Sequence, residues 1–292
     1  MTAPTRSREI LDARPAPQVE FIGSPFVRLL AQVPHFRGYG MVGSLACRLA
    51  SAKAGLKVGE IKVSLDMGHR SQFDMFALGA EESETQFLAG RLQSGDHFWD
   101  LGANWGYFTA VASAMVGPSG LVVSIEANPG PYRHLLGLVH RSGLSNVLAL
   151  NFALAHTSGQ RLYLNRPWYR ADTGGFFGER GKGQPVSTKS LDDLWAELGK
   201  PAVRMIKLDV EGLEPAVLQG GMRFLAEGLS DCAQIEVSSW AGKRSGESFQ
   251  VIYETMRKCG FPHAYLIDDG LTKVESPVAD HNVLFTRTEL AA

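Results

Sequence analysis

From Gly95 onward, short apolar runs alternate with longer segments that carry an apolar stripe at helical spacing. The apolar runs predict strands at His97–Leu101, Leu121–Ile125, Val147–Phe152, Val203–Leu208, Ala233–Val237, Ala264–Ile267 and Asn282–Thr286. The segments between them predict helices at Trp105–Val116, Pro131–Arg141, Leu191–Leu198, Pro215–Leu225 and Ser248–Cys259. Strands that alternate with helices favour a mostly parallel sheet covered on both faces, so we expect a doubly wound α/β domain over residues 95–292.

The chain before Gly95 has a different pattern. Residues 1–20 are polar and contain prolines, which predicts a disordered lead-in. Residues 21–94 then form an expected appendage of short helices, a hairpin and a helix over Glu81–Leu92. The hairpin is predicted within Gly59–Leu78, where Ile61, Val63 and Leu65 alternate with polar residues and the chain turns at 67–70 before Phe73.

Composition is that of an ordinary globular protein. The 292 residues are 45% hydrophobic and 20% charged, with a formal net charge of -1. A nearly neutral chain gives no electrostatic footprint for nucleic acid or an anionic membrane surface. Cys47, Cys232 and Cys259 are too few and too dispersed for a disulfide scaffold. No run reaches the roughly 20 apolar residues of a membrane span, and the N-terminus lacks a secretory signal, so we expect a cytoplasmic protein.

The segment from Asp100 to Thr109 is the strongest chemical signal. Gly102 and Gly106 follow the first strand of the α/β domain and precede a helix, so the backbone can turn tightly and a ligand can approach it. Asn104 stands where a dinucleotide-binding loop has its middle glycine. The loop therefore favours an amino-acid carboxylate and ammonium over a pyrophosphate, with Asp100 placed to accept a hydrogen bond from the ammonium.

Glu126 ends the next predicted strand. An acid at this position, about twenty residues after the glycine loop, accepts hydrogen bonds from a pair of ribose hydroxyls in folds of this kind. The alternative is an acid that caps the following helix.

A third group of polar residues follows the strand at Val203–Leu208. Asp209 and Glu211 should project from the carboxyl end of the sheet, where ligands of such sheets bind, with Lys207 beside them. Charges at one strand end are costly to bury unless they are paired. The alternative is a structural cap for the helix at Pro215, with Glu214 favouring its dipole. Glu236, on the neighbouring strand, either forms an ion pair with Lys207 or belongs to the site.

Taken together, these motifs resemble the FkbM-type methyltransferase family. The resemblance covers about residues 60–286 and rests on Asp100-Leu-Gly-Ala-Asn-x-Gly-Tyr-Phe-Thr, Glu126-Ala-Asn-Pro, Asn151-Phe-Ala-Leu, Lys207-Leu-Asp-Val-Glu-Gly-Leu-Glu214 and Asn282-Val-Leu-Phe. It implies a class I methyltransferase fold, which has a seven-stranded mixed sheet with an antiparallel last strand. It also implies S-adenosylmethionine as the cofactor and a hydroxyl acceptor on a sugar or natural product.

The resemblance also implies residue roles. Asp100, Gly102 and Asn104 would hold the methionyl end of the cofactor, Glu126 the ribose, and Asn151 and Ala153 would lie near the adenine. The predicted cofactor-binding set is completed by their motif neighbours Ala103, Gly106, Tyr107 and Ala127. Lys207, Asp209 and Glu211 would face the acceptor. Trp105 is bulkier than the aliphatic residue typical of its position.

The acceptor hydroxyl needs a base, because an alcohol is a poor nucleophile. We expect Asp209 or Glu236 to accept its proton, with Lys207 tuning their pKa values. A divalent metal held by Asp209 and Glu236 is the less favoured variant, because two carboxylates beside a lysine are a thin ligand set.

Two further features bear on the acceptor. His281 directly precedes the predicted last strand, which often borders the acceptor site in the family; it is either a substrate contact or a solvated or hydrogen-bonded histidine, and the second is favoured. Trp168–Lys182, with Tyr169 and several glycines, is either an aromatic loop over the acceptor or a surface insertion.

The expected partner is a small-molecule acceptor rather than nucleic acid, and the oligomeric state stays open. The rival functions are a non-catalytic cofactor- or partner-binding relative and a nicotinamide-dependent oxidoreductase, which the missing middle glycine disfavours.

Overall fold

The N-terminal part of the chain forms a small antiparallel sheet with two helices. The computed structural model describes residues 19–32, 39–50, 53–58, 61–68, 72–73, 82–165, 176–177, 183–239, 248–267 and 271–290. The sheet has the order β1-β2-β3, with β1 at Val19–Gly23, β2 at Ala54–Val58 and β3 at Ile61–Leu65. The expected short helices are present as α1 (Pro25–Ala31) and α2 (Tyr39–Leu49).

The hairpin that contains Ile61–Leu65 begins earlier than predicted. Ile61–Leu65 is its second strand and pairs with the preceding strand, β2. Phe73 is helical rather than part of a return strand, and the rest of the predicted hairpin, 74–78, lies outside the described residues. Val58 pairs with Ile61, so only Gly59 and Glu60 separate the strands. A two-residue connection that begins with glycine is a hairpin signal, and the sequence therefore did contain it. In addition, β1 begins at Val19, inside the predicted lead-in 1–20.

The α/β domain contains a central eight-stranded sheet. In spatial order its strands are β14 (Leu271–Lys273), β13 (His263–Ile267), β15 (His281–Thr286), β12 (Leu229–Val237), β11 (Val203–Leu208), β4 (His97–Leu101), β5 (Leu121–Ile125) and β6 (Val147–Leu150). The last strand, β15, lies antiparallel between β12 and β13. This is the expected seven-stranded arrangement with one short edge strand, β14, added.

Helices cover both faces of this sheet. They are α3 (Glu82–Arg91), α4 (Tyr107–Val116), α5 (Pro129–Arg141), α6 (Leu191–Glu197), α7 (Glu214–Gln219), a π-helix at Phe224–Gly228 and α8 (Gln250–Lys258). Successive strand residues face opposite sides, so Phe98 and Met205 lie in one hydrophobic core while Trp99 and Ile206 lie in the other. The first of these cores also takes in Val27 and Cys47 from the N-terminal helices.

The helix predicted over Pro215–Leu225 is interrupted. It ends at Gln219, and the chain continues through Gly220 into the π-helix. A Cβ atom on Gly220 would lie 2.5 Å from the carbonyl oxygen of Ala155, so the backbones approach each other closely at this point.

A separate four-stranded sheet is formed within residues 153–189, where no strand was predicted. Its order is β7-β10-β8-β9, with β7 at Ala153–Leu154, β8 at Arg161–Asn165, β9 at Phe176–Phe177 and β10 at Gln184–Lys189. The aromatic segment Trp168–Lys182, including Tyr169, lies outside the described residues apart from β9. Within the part of the chain that is described, no helix is long and apolar enough to cross a membrane.

Candidate active site

The glycine loop after β4 is held against the end of β5. The N–H groups of Gly102 and Ala103 both donate to the carbonyl oxygen of Ile125, at 2.9 and 2.8 Å. Gly106 is the N-cap of α4 and has φ 97°. A side chain there would also meet Leu135 at 2.6 Å, so this turn requires glycine.

Asn104 occupies the position of the missing middle glycine and adopts the left-handed conformation, with φ 49°. Asparagine is among the few non-glycine residues that tolerate this region. Its N–H donates to Glu126 Oε2 at 2.8 Å. The loop thus keeps a glycine-like backbone at residue 104 and gains an amide side chain.

Glu126 follows β5 and is nearly buried. Its Oε1 accepts from the N–H of Asn128 at 2.7 Å, and its Oε2 accepts from Asn104. Burial raises its pKa to about 7. The capping of α5 belongs to Asn128, whose side chain accepts from Gly130 N–H, so the alternative of Glu126 as a helix cap is wrong. Asn151 donates its side-chain N–H to the carbonyl oxygens of Glu126 and Ala127, which fixes the segment behind the carboxylate.

Asp100 lies beneath the glycine loop, almost fully buried. It accepts a hydrogen bond from Thr109 Oγ1 at 2.6 Å, and Thr109 in turn contacts the hydroxyl of Ser124. Burial raises the pKa of Asp100, and the positive charge of Lys207 counteracts that rise. A carboxylate fixed in this way can orient a cationic ligand group that enters the cleft.

Asp209 lies directly after β11, beside the glycine loop. Its N–H donates to the carbonyl oxygen of Leu101 at 2.9 Å, and its Oδ2 accepts from Lys207 Nζ at 2.8 Å. Lys207 is itself buried, with Nζ 4.8 Å from the centre of the Phe108 ring. Burial alone would raise the pKa of Asp209, but the Lys207 charge and hydrogen bonds from Lys207 and Glu236 bring it below its usual value.

Glu236 forms a hydrogen bond with Asp209. Burial, together with repulsion from Asp209, Glu214 and Glu211, raises the pKa of Glu236 to about 8. At neutral pH the protonated Glu236 therefore donates to the Asp209 carboxylate. Glu236 was expected either to form an ion pair with Lys207 or to belong to the site. This contact favours the second alternative, because it joins Glu236 to the site residue Asp209.

Glu214 organises the loop between β11 and α7. Its buried Oε1 accepts from the N–H groups of Val210 at 2.9 Å and Gly212 at 3.2 Å. This bracing holds Glu211 in the left-handed conformation, with φ 56°. Burial raises the pKa of Glu214 to about 7. Oxygen atoms of Asp209, Glu214 and Glu236 all lie within 4.8 Å of one another, so the acidic group is larger than the sequence indicated.

Two adjoining clefts open between these loops, with empty volumes of about 460 and 580 Å³. They share Gly102, Glu126, Asp209 and Glu211. Most predicted site residues line one or both of them: Asp100, Gly102, Ala103, Asn104, Tyr107, Glu126, Ala127, Ala153, Lys207, Asp209 and Glu211. The sequence-predicted residues therefore converge on one place.

Three of the other predicted site residues lie next to the cleft walls. Gly106 and Asn151 support the loops, and Glu236 lies behind Asp209. His281 is exposed at the start of β15, opposite Val237 at the carboxyl end of β12. Tyr169 is outside the described residues.

Sequence reasoning missed the apolar wall of the first cleft. Phe152, Leu154 and Leu164 line it together with Leu213. The apolar run Phe152-Ala153-Leu154 directly after Asn151 was the available signal. In the second cleft, the bulky Trp105 is buried in the wall beside Tyr107.

The fold and the site together define a class. The sheet with its antiparallel last strand, the glycine loop after its first strand and the acid that closes the second are those of class I S-adenosylmethionine-dependent methyltransferases. The family model described as the methyltransferase FkbM domain matches residues 95–262, which is more than half of the chain. The chain belongs to the FkbM methyltransferase family.

Solved structures also resemble the chain. The FkbM methyltransferase of Methylobacillus flagellatus KT is 14% identical with a TM-score of 0.44; the match covers 90% of this chain and 58% of that one. A fibrillarin of Aeropyrum pernix with natively bound S-adenosyl-L-methionine is 15% identical, with 67% coverage of each chain and a TM-score of 0.40. A SAM-dependent O-methyltransferase of Thermotoga maritima is 15% identical, with 73% and 67% coverage and a TM-score of 0.40. No curated protein matches the sequence.

Proposed function

We propose that this S-adenosylmethionine-dependent methyltransferase methylates a hydroxyl oxygen on a sugar or natural-product acceptor. The observation that carries the proposal is the Asp209 carboxylate, which lies in the wall of both clefts. Lys207 favours its ionised form, and the protonated Glu236 hydrogen-bonds to it. A carboxylate at the junction of the two clefts lies beside the residues that we assign to the cofactor, and it is suited to remove a proton from an acceptor hydroxyl placed there.

The chemistry of the cleft residues fits the cofactor. Gly102 and Gly106 give a backbone cradle, and each oxygen of Glu126 is oriented by one backbone N–H while keeping capacity for a ribose hydroxyl. The apolar wall of Phe152, Leu154 and Leu164 suits an adenine ring. We assign the methionyl end to Asp100 and Asn104, the ribose to Glu126 and the adenine to the segment at Asn151 and Ala153.

When bound, S-adenosylmethionine supplies an activated methyl group. The protein orients the acceptor and moves a proton. Asp209 accepts the hydroxyl proton as the acceptor oxygen becomes the nucleophile, and Lys207 limits the change in local charge. Glu211, His281 and Tyr169 remain our candidates for contacts with the acceptor. We likewise retain 21–94 as an appendage and 95–292 as the catalytic domain.

A divalent metal is the variant of this mechanism. The third carboxylate, Glu214, enlarges the ligand set beyond the two acids found in the sequence. Against a metal, Lys207 already neutralises Asp209, and two backbone N–H groups occupy one oxygen of Glu214. We therefore propose metal-independent transfer, and turnover should be unchanged by a chelator. Loss of activity with EDTA and recovery with Mg²⁺ would establish the variant.

The test combines labelled cofactor with a panel of acceptors. Incubation with methyl-labelled S-adenosylmethionine and sugars, lipids or polyketides should label the oxygen of one acceptor class. Asp209→Asn should lower kcat by about 100-fold or more while the cofactor dissociation constant changes less than about threefold. Glu254→Gln, which removes an exposed carboxylate on α8, is the control.

Three results would contradict the proposal in different ways. Label on nitrogen or carbon would overturn O-methylation, and label on an unrelated acceptor class would overturn the proposed substrate. Cofactor binding by the wild type without any transfer across the panel would favour the non-catalytic relative. Loss of cofactor binding together with turnover in Asp209→Asn would move Asp209 from the acceptor side to the cofactor side.

A further inference from the structure

The two N-terminal helices expose an unusual amount of apolar surface. Of the eight large apolar side chains that are exposed in the described part of the chain, six lie on α1 and α2. We call these six the α1–α2 face: Phe26, Leu29, Met41, Val42, Leu45 and Leu49. Leu45 is 57% and Leu49 80% exposed. α1 and α2 contact each other, since the Tyr39 hydroxyl donates to the carbonyl oxygen of Leu30, and exposed apolar surface of this kind marks an interaction site.

The exposed side chains of α2 share one side of the helix. At about 100° per residue, Met41, Val42, Leu45 and Leu49 point away from the buried side of Tyr39, Gly43 and Cys47. The helix is therefore apolar on both sides, and Arg48 is its one charged residue. A helix that is apolar all round needs a partner on its outer side.

Charge identifies the kind of partner. Residues 21–59 contain five basic residues, Arg28, Arg37, Arg48, Lys53 and Lys57, and no aspartate or glutamate. This segment carries none of the chain's 30 acidic residues, although the whole chain has a net charge of -1. Arg28 and Arg48 are exposed on the same two helices. The two helices themselves are therefore cationic and apolar, and the neighbouring acids belong to the strands and turn beside them: Glu20 lies opposite Lys57, and Asp66 lies near Arg48 at Gly68.

We infer that the α1–α2 face docks on the surface of an anionic phospholipid bilayer. Exposed apolar side chains together with an arginine, on a helix that contains no acid, are the features of a helix that lies in a membrane interface. The contact is peripheral, because α1 and α2 have only 7 and 11 residues. A second copy of the chain fits the face less well, since a two-fold contact would bring two cationic segments together. The inference goes beyond methyl transfer and does not depend on the acceptor.

Vesicle flotation of the full chain tests the inference. The protein should float with vesicles of equimolar phosphatidylcholine and phosphatidylglycerol, and much less with phosphatidylcholine alone. Leu45→Ser with Leu49→Ser should reduce the partition coefficient about tenfold or more, since two large side chains lose their apolar contact. Arg48→Gln should reduce the partition coefficient about fivefold on vesicles that contain phosphatidylglycerol and leave it unchanged on phosphatidylcholine alone. Added salt should likewise reduce the partition of the wild type onto the anionic vesicles.

The chain offers a matched control for the double variant. Leu136 and Met222 are 41% and 42% exposed and lie outside the α1–α2 face, so Leu136→Ser with Met222→Ser should float as the wild type does. Unchanged melting temperature and S-adenosylmethionine affinity would show that each variant is folded. Absence of the wild type from the floating fraction would overturn the inference, as would equal flotation of the Leu45/Leu49 variant. A dimer of the wild type in light scattering would also overturn the inference if only the Leu45/Leu49 variant dissociated it, because the α1–α2 face would then join two copies of the chain.

Discussion

The loops that carry Gly102 and Asp209 approach each other so closely that a side chain cannot fit between them. A Cβ atom on Gly102 would lie 1.8 Å from the carbonyl oxygen of Asp209, and Gly102 has φ 93°. The N–H of Asp209 donates to the carbonyl oxygen of Leu101, which is the last residue of β4 and directly precedes Gly102. The cofactor loop and the proposed base are thereby held in one rigid junction, which explains why both clefts share these two residues.

Gly102→Ala should disrupt this junction. The new methyl group overlaps backbone rather than a movable side chain, so we expect a loss of about 3 kcal/mol or more in the free energy of unfolding. S-adenosylmethionine binding, measured by calorimetry, should weaken by more than about 100-fold. Gly90→Ala in α3 is the control, because no atom apart from its chain neighbours and the helix's own backbone lies within 4 Å of the added Cβ; it should change stability by less than about 1 kcal/mol. Equal effects of the two variants would refute the junction.

Asn104 allows backbone and side-chain contributions to be separated. Asn104→Gly keeps the left-handed backbone, so its stability in chemical denaturation should match the wild type, whereas Asn104→Ala should lose about 1 kcal/mol. Both remove the amide, and both should weaken S-adenosylmethionine binding about tenfold if that amide holds the methionyl group. Wild-type affinity in the glycine variant would remove the side chain from the cofactor site.

Glu214 makes stability depend on pH. Its pKa rises from 4.5 in the unfolded chain to about 7 in the folded protein because it is buried. Between these values the folded state binds more protons, so the free energy of unfolding falls as pH increases. Glu214→Gln mimics the protonated form and removes this contribution, which amounts to at most about 3 kcal/mol. The difference in unfolding free energy between variant and wild type should therefore shift in favour of the variant from pH 5 to pH 8.

A matched variant separates burial from charge. Glu254→Gln removes an exposed carboxylate and should leave the pH dependence of unfolding unchanged. If the Glu214→Gln protein kept the wild-type slope in chemical denaturation between pH 5 and pH 8, the raised pKa of Glu214 would be refuted.

The sequence predicted the central strands well and the small sheet poorly, for physical reasons. β4, β5 and β11 are buried on both faces, so they appear as short continuous apolar runs and were predicted with their observed bounds. β10, Gln184–Lys189, is half exposed and contains a proline, so nothing in its composition indicates a strand. Such strands form because neighbouring strands pair with them.

Contacts across the sheet were the other limit. The types of residue in the acidic group were visible in the sequence, but the partner of Glu236 depends on the register of β11 against β12. Leu208 pairs with Ile235, and that register brings Asp209, rather than Lys207, level with Glu236. Strand periodicity defines which residues share a face, but it leaves the register between two distant strands open.

The hydrogen bond between Glu236 and Asp209 predicts the pH dependence of turnover. Below about pH 8, Glu236 is protonated and its donated hydrogen bond makes Asp209 a weaker base; above it, a second negative charge raises the proton affinity of Asp209. The wild-type kcat/KM should therefore rise with a midpoint near pH 8. In Glu236→Gln the amide stays a neutral donor at every pH, so this rise should be absent, while activity at pH 7 stays within about threefold of the wild type. The same rise in both proteins would assign it to another group and leave Glu236 with a purely structural role.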